Sequence, residues 1–468
     1  MKITNIANDI NHEEFFENEK SQYLNLSFLN QEIKNFVLSK KRAEMFNGIK
    51  YYLGKHDILN QTRLAVGEGG ELIEVNNLPN NKIVDNQYAK LVDQKVNYIL
   101  SKIPKIQTEN NTYLKIIENI FDKNFFRKLK IIGENCLNEG ICWLHPYYNE
   151  SGKFSFKIFN GHEILPFWRD SAHTELNFAI RVYESNIFSD NIKRKLTKTE
   201  VYGKNEIKKY VLKNYSCNLN DTFHEPHFFI LKNNEEIAAA WGKVPLVAFK
   251  SNSKEIPLIN KVKNLQDGIN TIISDFLNKM QTDVNNTILV LKNYDGTDLG
   301  EFRRNLSVYG AVKVRTIDGQ PGGIETLKID VNSENYKAIL SIFKHALIEN
   351  GGGFDVGDER AKGNPNEITI QSMYTNIDLD SNGIENEFQA SFEELMWFVN
   401  KHILNETGKD FTKEKIEIIF DRNMLINKSE LINDCLKSKQ IISNKTILDM
   451  HPFVKNTSLE LERLKEEK

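Results

Sequence analysis

The chain lacks long hydrophobic runs, CxxC cysteine pairs and a large net charge. No run approaches eighteen apolar residues, so no transmembrane helix is expected. The opening stretch MKITNIANDINHEEFFENEK is polar and acidic and has no apolar signal-peptide core. There are only four cysteines, Cys136, Cys142, Cys217 and Cys435, with no CxxC among them. So few in a long chain point to buried free thiols in a reducing compartment, and the cytoplasm is the expected site of synthesis. The 61 basic and 64 acidic residues leave a formal charge of −3. A protein that grips nucleic acid tightly is usually strongly basic, so a tight nucleic-acid clamp is not indicated. GxSxG and HExxH are both absent, which leaves nucleophilic and zinc-hydrolase readings without an anchor. There is no long-period repeat and no low-complexity tract.

What is present is a long globular chain. Its 468 residues are 40% hydrophobic and 10% aromatic, enough for real cores and for two or three domains or one large elongated subunit. Residues 1–29 read as a polar arm with one short helix. NQEIKNFVLSKKRAEMFNGIKYYLGKHDIL, from Asn30, predicts a helix ending near Gly54. Pro79 marks a turn. A second amphipathic helix is predicted over 85–100 and a third over 111–138, closed by Gly140. The period then switches to two. Strands are predicted over 141–147, 154–159, 176–183, 200–212 and 228–231, with NGHEILPFWRD as a turn between two of them. A helical block followed by a β-rich block reads as one α+β domain.

The stretch 256–400 organises the rest. Ile259, Val262, Leu265, Ile269, Ile272, Ile273, Phe276, Leu277, Met280 and Val284 recur at helical steps of three and four. A strand-rich insert follows, with turns at Tyr294-Asp295-Gly296 and Asp318-Gly319. Next come a second helical run, SENYKAILSIFKHALIEN, a glycine-rich loop, GGGFDVGDERAKGNPNE, and a long helix through SFEELMWFVNKHIL. One subunit buries little around such a hairpin, which makes more sense with copies side by side. After a short strand at 416–420 the chain ends in a small helical segment and a charged tail.

Two clusters invite chemistry and two lesser readings compete with it. Gly351, Gly352, Gly353, Gly357 and Gly363 suggest a phosphate loop, but the loop follows a helix and lacks the lysine and hydroxyl of that motif. A mobile loop or a plain surface linker remains. Cys217, His224 and His227 suggest a metal, but the spacing is not the paired spacing zinc prefers, and polar residues near a strand start are the alternative. No cofactor and no metal are expected.

The order of these elements, with VLKNYDGTDLGEFRRNL, GGIETLKIDV and SFEELMWFVN, resembles the portal proteins of tailed phages of Gram-positive hosts. YYLGKHDIL, NNLPNNKIVDNQYAKLVDQKVNYIL and SNKTILDMHPFV carry the same resemblance, which covers nearly the whole chain. It implies an α+β, elongated subunit assembling into a ring, expected to be a dodecamer. The implied parts are an N-terminal arm (1–29), a wing (30–254), a first stem helix (255–286), an α/β clip (287–331) and a second stem helix (332–350). A tunnel loop (351–366), a long wing helix with a return strand (367–425) and a small helical crown (426–468) complete it.

On that resemblance the ring is a DNA channel at one capsid vertex, serving genome packaging, retention and ejection, with no catalysis of its own. Gly351, Gly352, Gly353, Asp355, Asp358, Arg360 and Lys362 would face the channel, the two cations touching phosphates and the acids keeping that contact weak. Arg303, Arg304, Lys313 and Arg315 in the clip would dock partners, a solvated face being the bland alternative. Val262, Ile269, Phe276 and Met280 would pack the ring. The implied partners are further copies of the chain, double-stranded DNA, the large terminase, a head–tail adaptor, the major capsid protein and a scaffold, with no membrane. The implied location is the portal vertex of the virion, and the host cytoplasm during assembly. A DNA-processing nuclease or ATPase, and a structural or scaffolding protein without a channel, are the competing classes.

Overall fold

The computed structural model describes residues 26–66, 70–74, 79–189, 192–213, 216–217, 223–232, 235–285, 288–292, 323–327, 333–355, 367–422, 428–439, 441–454 and 457–466. Residues 1–25 of the arm predicted over 1–29 and the interior of the predicted clip lie outside these residues, as does the loop beyond Asp355.

In chain order, α1 (Leu26–Val37) and α2 (Lys40–Tyr52) replace the single helix predicted to Gly54. Ser39 divides them. Its hydroxyl donates to the Phe36 carbonyl at 2.7 Å and accepts the Arg42 N–H at 3.2 Å, ending one helix and capping the next. A small hairpin of β1 (Leu64–Val66) and β2 (Leu72–Glu74) follows, then α3 (Gln87–Leu100) and β3 (Lys105–Gln107). The helix predicted over 111–138 is also two, α4 (Asn111–Ile120) and α5 (Lys123–Glu139). Asp122 separates them, its carboxylate accepting the Phe125 N–H at 2.9 Å. Gly140 closes α5 as predicted, at φ 83°. A Cβ there would lie 2.2 Å from the Glu255 carbonyl oxygen, so both the conformation and the space demand glycine.

The β-rich block holds β4 (Ile141–Tyr148), β5 (Phe154–Asn160), β6 (Ile164–Trp168), β7 (Leu176–Ser189), β8 (Ile192–Tyr202) and β9 (Glu206–Lys213). After them come β10 (Ser216–Cys217), β11 (Phe223–Pro226), β12 (Phe228–Lys232), β13 (Glu235–Ala239) and β14 (Val247–Lys250). Two expectations change here. The stretch predicted as a turn contains β6, which pairs with β7 through a register shift at Phe167/Trp168. The run 200–212 is the end of β8 and most of β9, turning at Gly203. In both places side chains face cores on both sides of the sheet, which blurs the alternation that reveals a strand.

The last third carries α6 (Ile259–Asn285), β15 (Ile288–Lys292), β16 (Gly323–Leu327), α7 (Ser333–Asn350), α8 (Glu367–Thr407) and β17 (Glu417–Ile419). It ends in α9 (Lys428–Lys437), α10 (Asn444–Met450) and α11 (Thr457–Glu466). The α+β class is as predicted. α8 has 41 residues in one helix, about 60 Å of rise.

The chain forms two units. The first comprises Met1–Ile49, Leu91–Lys261 and Gly352–Lys468. Its larger sheet runs β10-β9-β8-β7-β6 with β11 also on β9, and its smaller sheet runs β14-β4-β5. Leu29, Ile33 and Phe36 of α1 pack on Phe178, Ile180 and Val201 of the larger sheet. Met45 joins Trp143, Phe159 and Ala179 in a second core between the sheets. α8 covers β14, with Phe388 and Phe392 edge-on to Phe249 at 5.2 and 5.7 Å. Each such buried side chain contributes about 1.5–3 kcal/mol. The second unit comprises Lys50–Lys90 and Val262–Gly351. It holds α7, most of α6, the β15–β16 ribbon and the segment before α3, and it carries most of the candidate site.

Candidate functional site

α6 departs from the usual helix. Beside the buried Ile259, Val262 and Ile269 it buries a polar row: Gln266, Asn270, Ser274 and Asn278, spaced four apart. An extended segment lies along them. The Tyr88 N–H is accepted by Gln266 Oε1 at 2.9 Å and the Asp85 N–H by Asn270 Oδ1 at 3.0 Å. The Ile83 N–H is accepted by Ser274 Oγ at 3.0 Å and the Asn81 N–H by Asn278 Oδ1 at 2.7 Å. Four residues of helix rise about 6 Å, close to the advance of two residues of extended chain, so one register serves Asn278, Ser274 and Asn270, and Gln266 takes the Tyr88 N–H in the first turn of α3. The helix's side chains do for this segment what a neighbouring strand does in a sheet.

His56 closes the upper end of the row. It is fully buried; its Nδ1 accepts from Asn270 Nδ2 at 2.8 Å, and its Nε2–H donates to the Tyr51 carbonyl at 3.0 Å. Burial lowers its pKa, which suits the neutral ring these contacts require. Beside it, Tyr51 donates to Asp267 at 2.5 Å, and Lys263 bridges Asp267 and Asp57 at 2.8 and 2.7 Å.

The apolar stripe singled out on α6 is divided. Val262 and Ile269 are buried within the chain, at 1% and 0% exposure. Leu265, Ile272, Ile273, Phe276 and Leu277 are half-buried, and Met280 is 49% exposed. α7 crosses close to α6: a Cβ on Gly268 would lie 2.5 Å from the Phe343 ring. Phe276 meets Tyr336 at 4.9 Å, and Lys279 donates to the Tyr336 hydroxyl at 2.6 Å. Lys344 pairs with Asp85 at 2.7 Å. Elsewhere α7 is largely open, with Leu347 as its one fully buried side chain and Ile339 and Ile342 exposed.

The start of the glycine loop is held, where the sequence predicts a segment unable to pack itself. The Gly351 N–H donates to the Leu347 carbonyl at 3.0 Å. Gly352 has φ 63°, and a Cβ there would lie 3.0 Å from Asp380 Oδ1. Gln94 clamps the Phe354 backbone, accepting its N–H at 2.8 Å and donating to its carbonyl at 2.6 Å. The Phe354 ring stacks on Tyr374 at 4.4 Å. Gly353 is buried and Asp355 half-buried. Asp380 also pairs with the buried Lys95, and Lys261 stands 3.7 Å away. Asp358, Arg360 and Lys362 lie outside the described residues, and so do Arg303, Arg304, Lys313 and Arg315. β15 and β16 pair from Ile288↔Leu327 to Lys292↔Gly323, bringing the two ends of the insert together.

The suspected metal trio is dispersed among other partners. The Cys217 N–H donates to Asn30, and its thiol is pushed up to about 11 by burial. His224 contacts Glu206 at 3.0 Å. His227 accepts the Trp241 N–H and donates to the Gly203 carbonyl, and burial lowers its pKa to about 4. Among the described residues no three His, Cys, Asp or Glu side chains come together as a metal site. No helix there is long and apolar enough to cross a membrane.

Two buried charge clusters escape sequence reasoning. Arg181 pairs with Glu163 at 2.8 Å and Glu200 at 3.2 Å, between the rings of Phe159 and Tyr183. Glu255 is held by Lys41 at 2.6 Å, His173 at 2.7 Å and Lys250 at 3.4 Å. Only the polar row on α6 had a local signal, its i, i+4 spacing.

Comparison with known proteins adds a consistent result. The family model described as "Phage portal protein, SPP1 Gp6-like" matches residues 35–468. The portal protein of Bacillus phage SPP1 is 26% identical over 441 residues, covering 93% of this chain and 86% of that protein. The portal protein of Clostridium phage phiCD119 is 29% identical over 428 residues, covering 88% of this chain and 90% of that protein.

Proposed function

The chain belongs to the SPP1 Gp6-like family of phage portal proteins, and we propose from that premise that its copies close a ring around α6 and α7, with double-stranded DNA passing through the centre. The portal role places it at a capsid vertex of the virion, as a structural component working with further copies of itself and with the capsid.

One observation supports the ring most directly. α6 buries its polar row inside the chain, while Leu265, Ile272, Ile273, Phe276 and Leu277 of its apolar stripe are only half-buried and Met280, with Ile339 and Ile342 of α7, is exposed. Buried polar groups are costly unless paired, and exposed apolar groups gain by being covered. The arrangement therefore favours an apolar contact between copies. A heterologous contact of that kind closes into a ring when its rotation allows, and twelve is the number proposed.

The finer parts follow the same reading. α6 and α7 form the stem, and the insert over 287–331 is the clip, with Arg303, Arg304, Lys313 and Arg315 docking the large terminase during packaging and the head–tail adaptor afterwards. Residues 351–366 are the tunnel loop, with Arg360 and Lys362 making weak, salt-sensitive phosphate contacts. Residues 30–254 and 367–425 make the wing that meets capsid and scaffold, and 426–468 the crown. Assembly takes place in the host cytoplasm.

Negative-stain microscopy of the purified protein tests the reading. Rings with a central hole are expected. Solid particles or a uniform population of monomers at capsid-assembly concentrations would remove the channel.

A further inference from the structure

β5 is an edge strand. It pairs with β4 and, among the described residues, with no other strand. In an antiparallel pair every second residue turns its N–H and C=O away from the partner strand. The Phe156 carbonyl accepts the Lys128 ammonium at 2.5 Å, which puts Phe154, Phe156 and Ile158 on the outward side. Two cavities adjoin this edge and share Asn124, Lys128 and Phe156. One, of 600 Å³, reaches back to Gly152; the other, of 770 Å³, reaches on to Phe159. The edge is therefore open along nearly all of a seven-residue strand, about 23 Å.

The strand sorts its side chains by face. Lys153 and Lys157 are exposed and share one face, while Phe154, Phe156 and Ile158 alternate onto the other. Arg127, also exposed, flanks the edge from α5. Among the described residues none of Arg127, Lys128, Lys153 and Lys157 is paired with a carboxylate: Lys128 serves a carbonyl and Lys157 stands over the Phe159 ring. The cavities' own acids are engaged. Asp122 caps α5, Glu200 is held by Arg181, Glu225 by Lys209 and Glu406 by His402. The surplus charge is positive. A phosphate backbone would use these cations but not a row that alternates N–H with C=O; an extended polypeptide uses both. Cross-strand pairing then dictates its side chains: carboxylates opposite Lys153 and Lys157, apolar groups opposite Phe154, Phe156 and Ile158.

We propose that β5 receives a strand from a partner protein, an extended segment in which acidic and apolar residues alternate. A backbone N–H of that segment takes the Phe156 carbonyl from Lys128, and the freed ammonium joins Arg127, Lys153 and Lys157 around the carboxylates. The site does not depend on the ring or its channel.

The test uses the purified full-length protein and a fluorescein-labelled eight-residue peptide that alternates glutamate with valine and phenylalanine. Binding is read by fluorescence anisotropy and by hydrogen exchange. The parent is expected to bind, with slowed exchange at Phe154, Phe156 and Ile158. Lys153→Glu with Lys157→Glu, both at exposed positions, is expected to weaken binding about tenfold and to bind instead the same peptide with lysine in place of glutamate. Methylating alternate amide nitrogens of the peptide, on one edge and then on the other, is expected to abolish binding in one of the two cases, because only one edge faces β5. No binding by the parent, binding that survives both methylations, or displacement of the peptide by a double-stranded oligonucleotide of equal charge would overturn the proposal. Self-association lost on the charge reversal would also overturn it, by giving the edge to a second copy of the chain.

Discussion

Glu255 shows how much one residue ties together. Its backbone is left-handed, at φ 54°, and its carboxylate is buried between Lys41, His173 and Lys250. Burial alone would raise its pKa; the Lys41 ammonium and the hydrogen bonds from Lys41 and His173 outweigh that, and the net shift is downward. A lowered carboxyl pKa adds stability above its ordinary value of 4.5 that is lost as the pH falls through the folded value. Glu255→Gln is expected to cost about 3 kcal/mol at neutral pH, because it strands buried cations. The deficit should shrink in acid, and urea titrations at pH 7 and pH 4 measure both. Glu394 has the opposite sign. Burial raises its carboxyl to about 7, against the pull of Lys243 and Lys250. The folded protein therefore loses stability as the pH rises from 4.5 through about 7. Glu394→Gln should melt higher than the parent at pH 8 and equal to it at pH 4; an unchanged difference across that range would contradict the assignment.

Among the elements, α6 depends on partners remote in sequence. The polar row and the segment 81–88 satisfy one another, and Asn270 is the most connected member, serving Asp85, Gln266 and His56. Asn270→Leu keeps the size roughly constant and leaves several buried polar groups without partners, each costing about 1–3 kcal/mol. The expected loss is about 3 kcal/mol by chemical denaturation, with the Asp85 amide among those whose hydrogen exchange accelerates. Slow exchange at Asp85 in that variant would mean the row is not what holds the segment. The insert is a separate matter. Its ends are joined by the β15–β16 ribbon, so residues 294–322 can be replaced by a short linker without stretching α6 and α7 apart. The deleted protein is expected to form rings but to lose terminase and adaptor in pull-down experiments. Retained binding of both would move docking to another part of the chain.

For the whole molecule, burial separates residues that hold the subunit from those available to hold copies together. Ile269 is fully buried, so Ile269→Asp is expected to unfold the chain. Met280 and Ile342 are exposed, at 49% and 65%. Met280→Asp with Ile342→Asp should leave the circular dichroism spectrum unchanged while rings fall to single subunits in light scattering. Intact rings would show that these two positions do not lie between copies.

By itself the sequence determined what depends on neighbours in the chain. The period of three and four marks α6, the shift to period two at Gly140 marks the β-rich block, and Gly140 itself marks the end of α5, since each is a local property. The order of those pieces carried the family. The breaks at Ser39 and Asp122 were written there too, as capping residues inside otherwise continuous apolar periods, but the periodicity outweighed them. Tertiary structure alone decided which side of α6 is inside. Its buried polar row is satisfied by backbone N–H groups 178 to 197 positions away, and Glu255 meets a lysine 214 positions away. An apolar side chain is drawn to any dry surface and announces itself by pattern. A buried polar side chain is stable only against one particular partner, and that partner is brought to it by the fold.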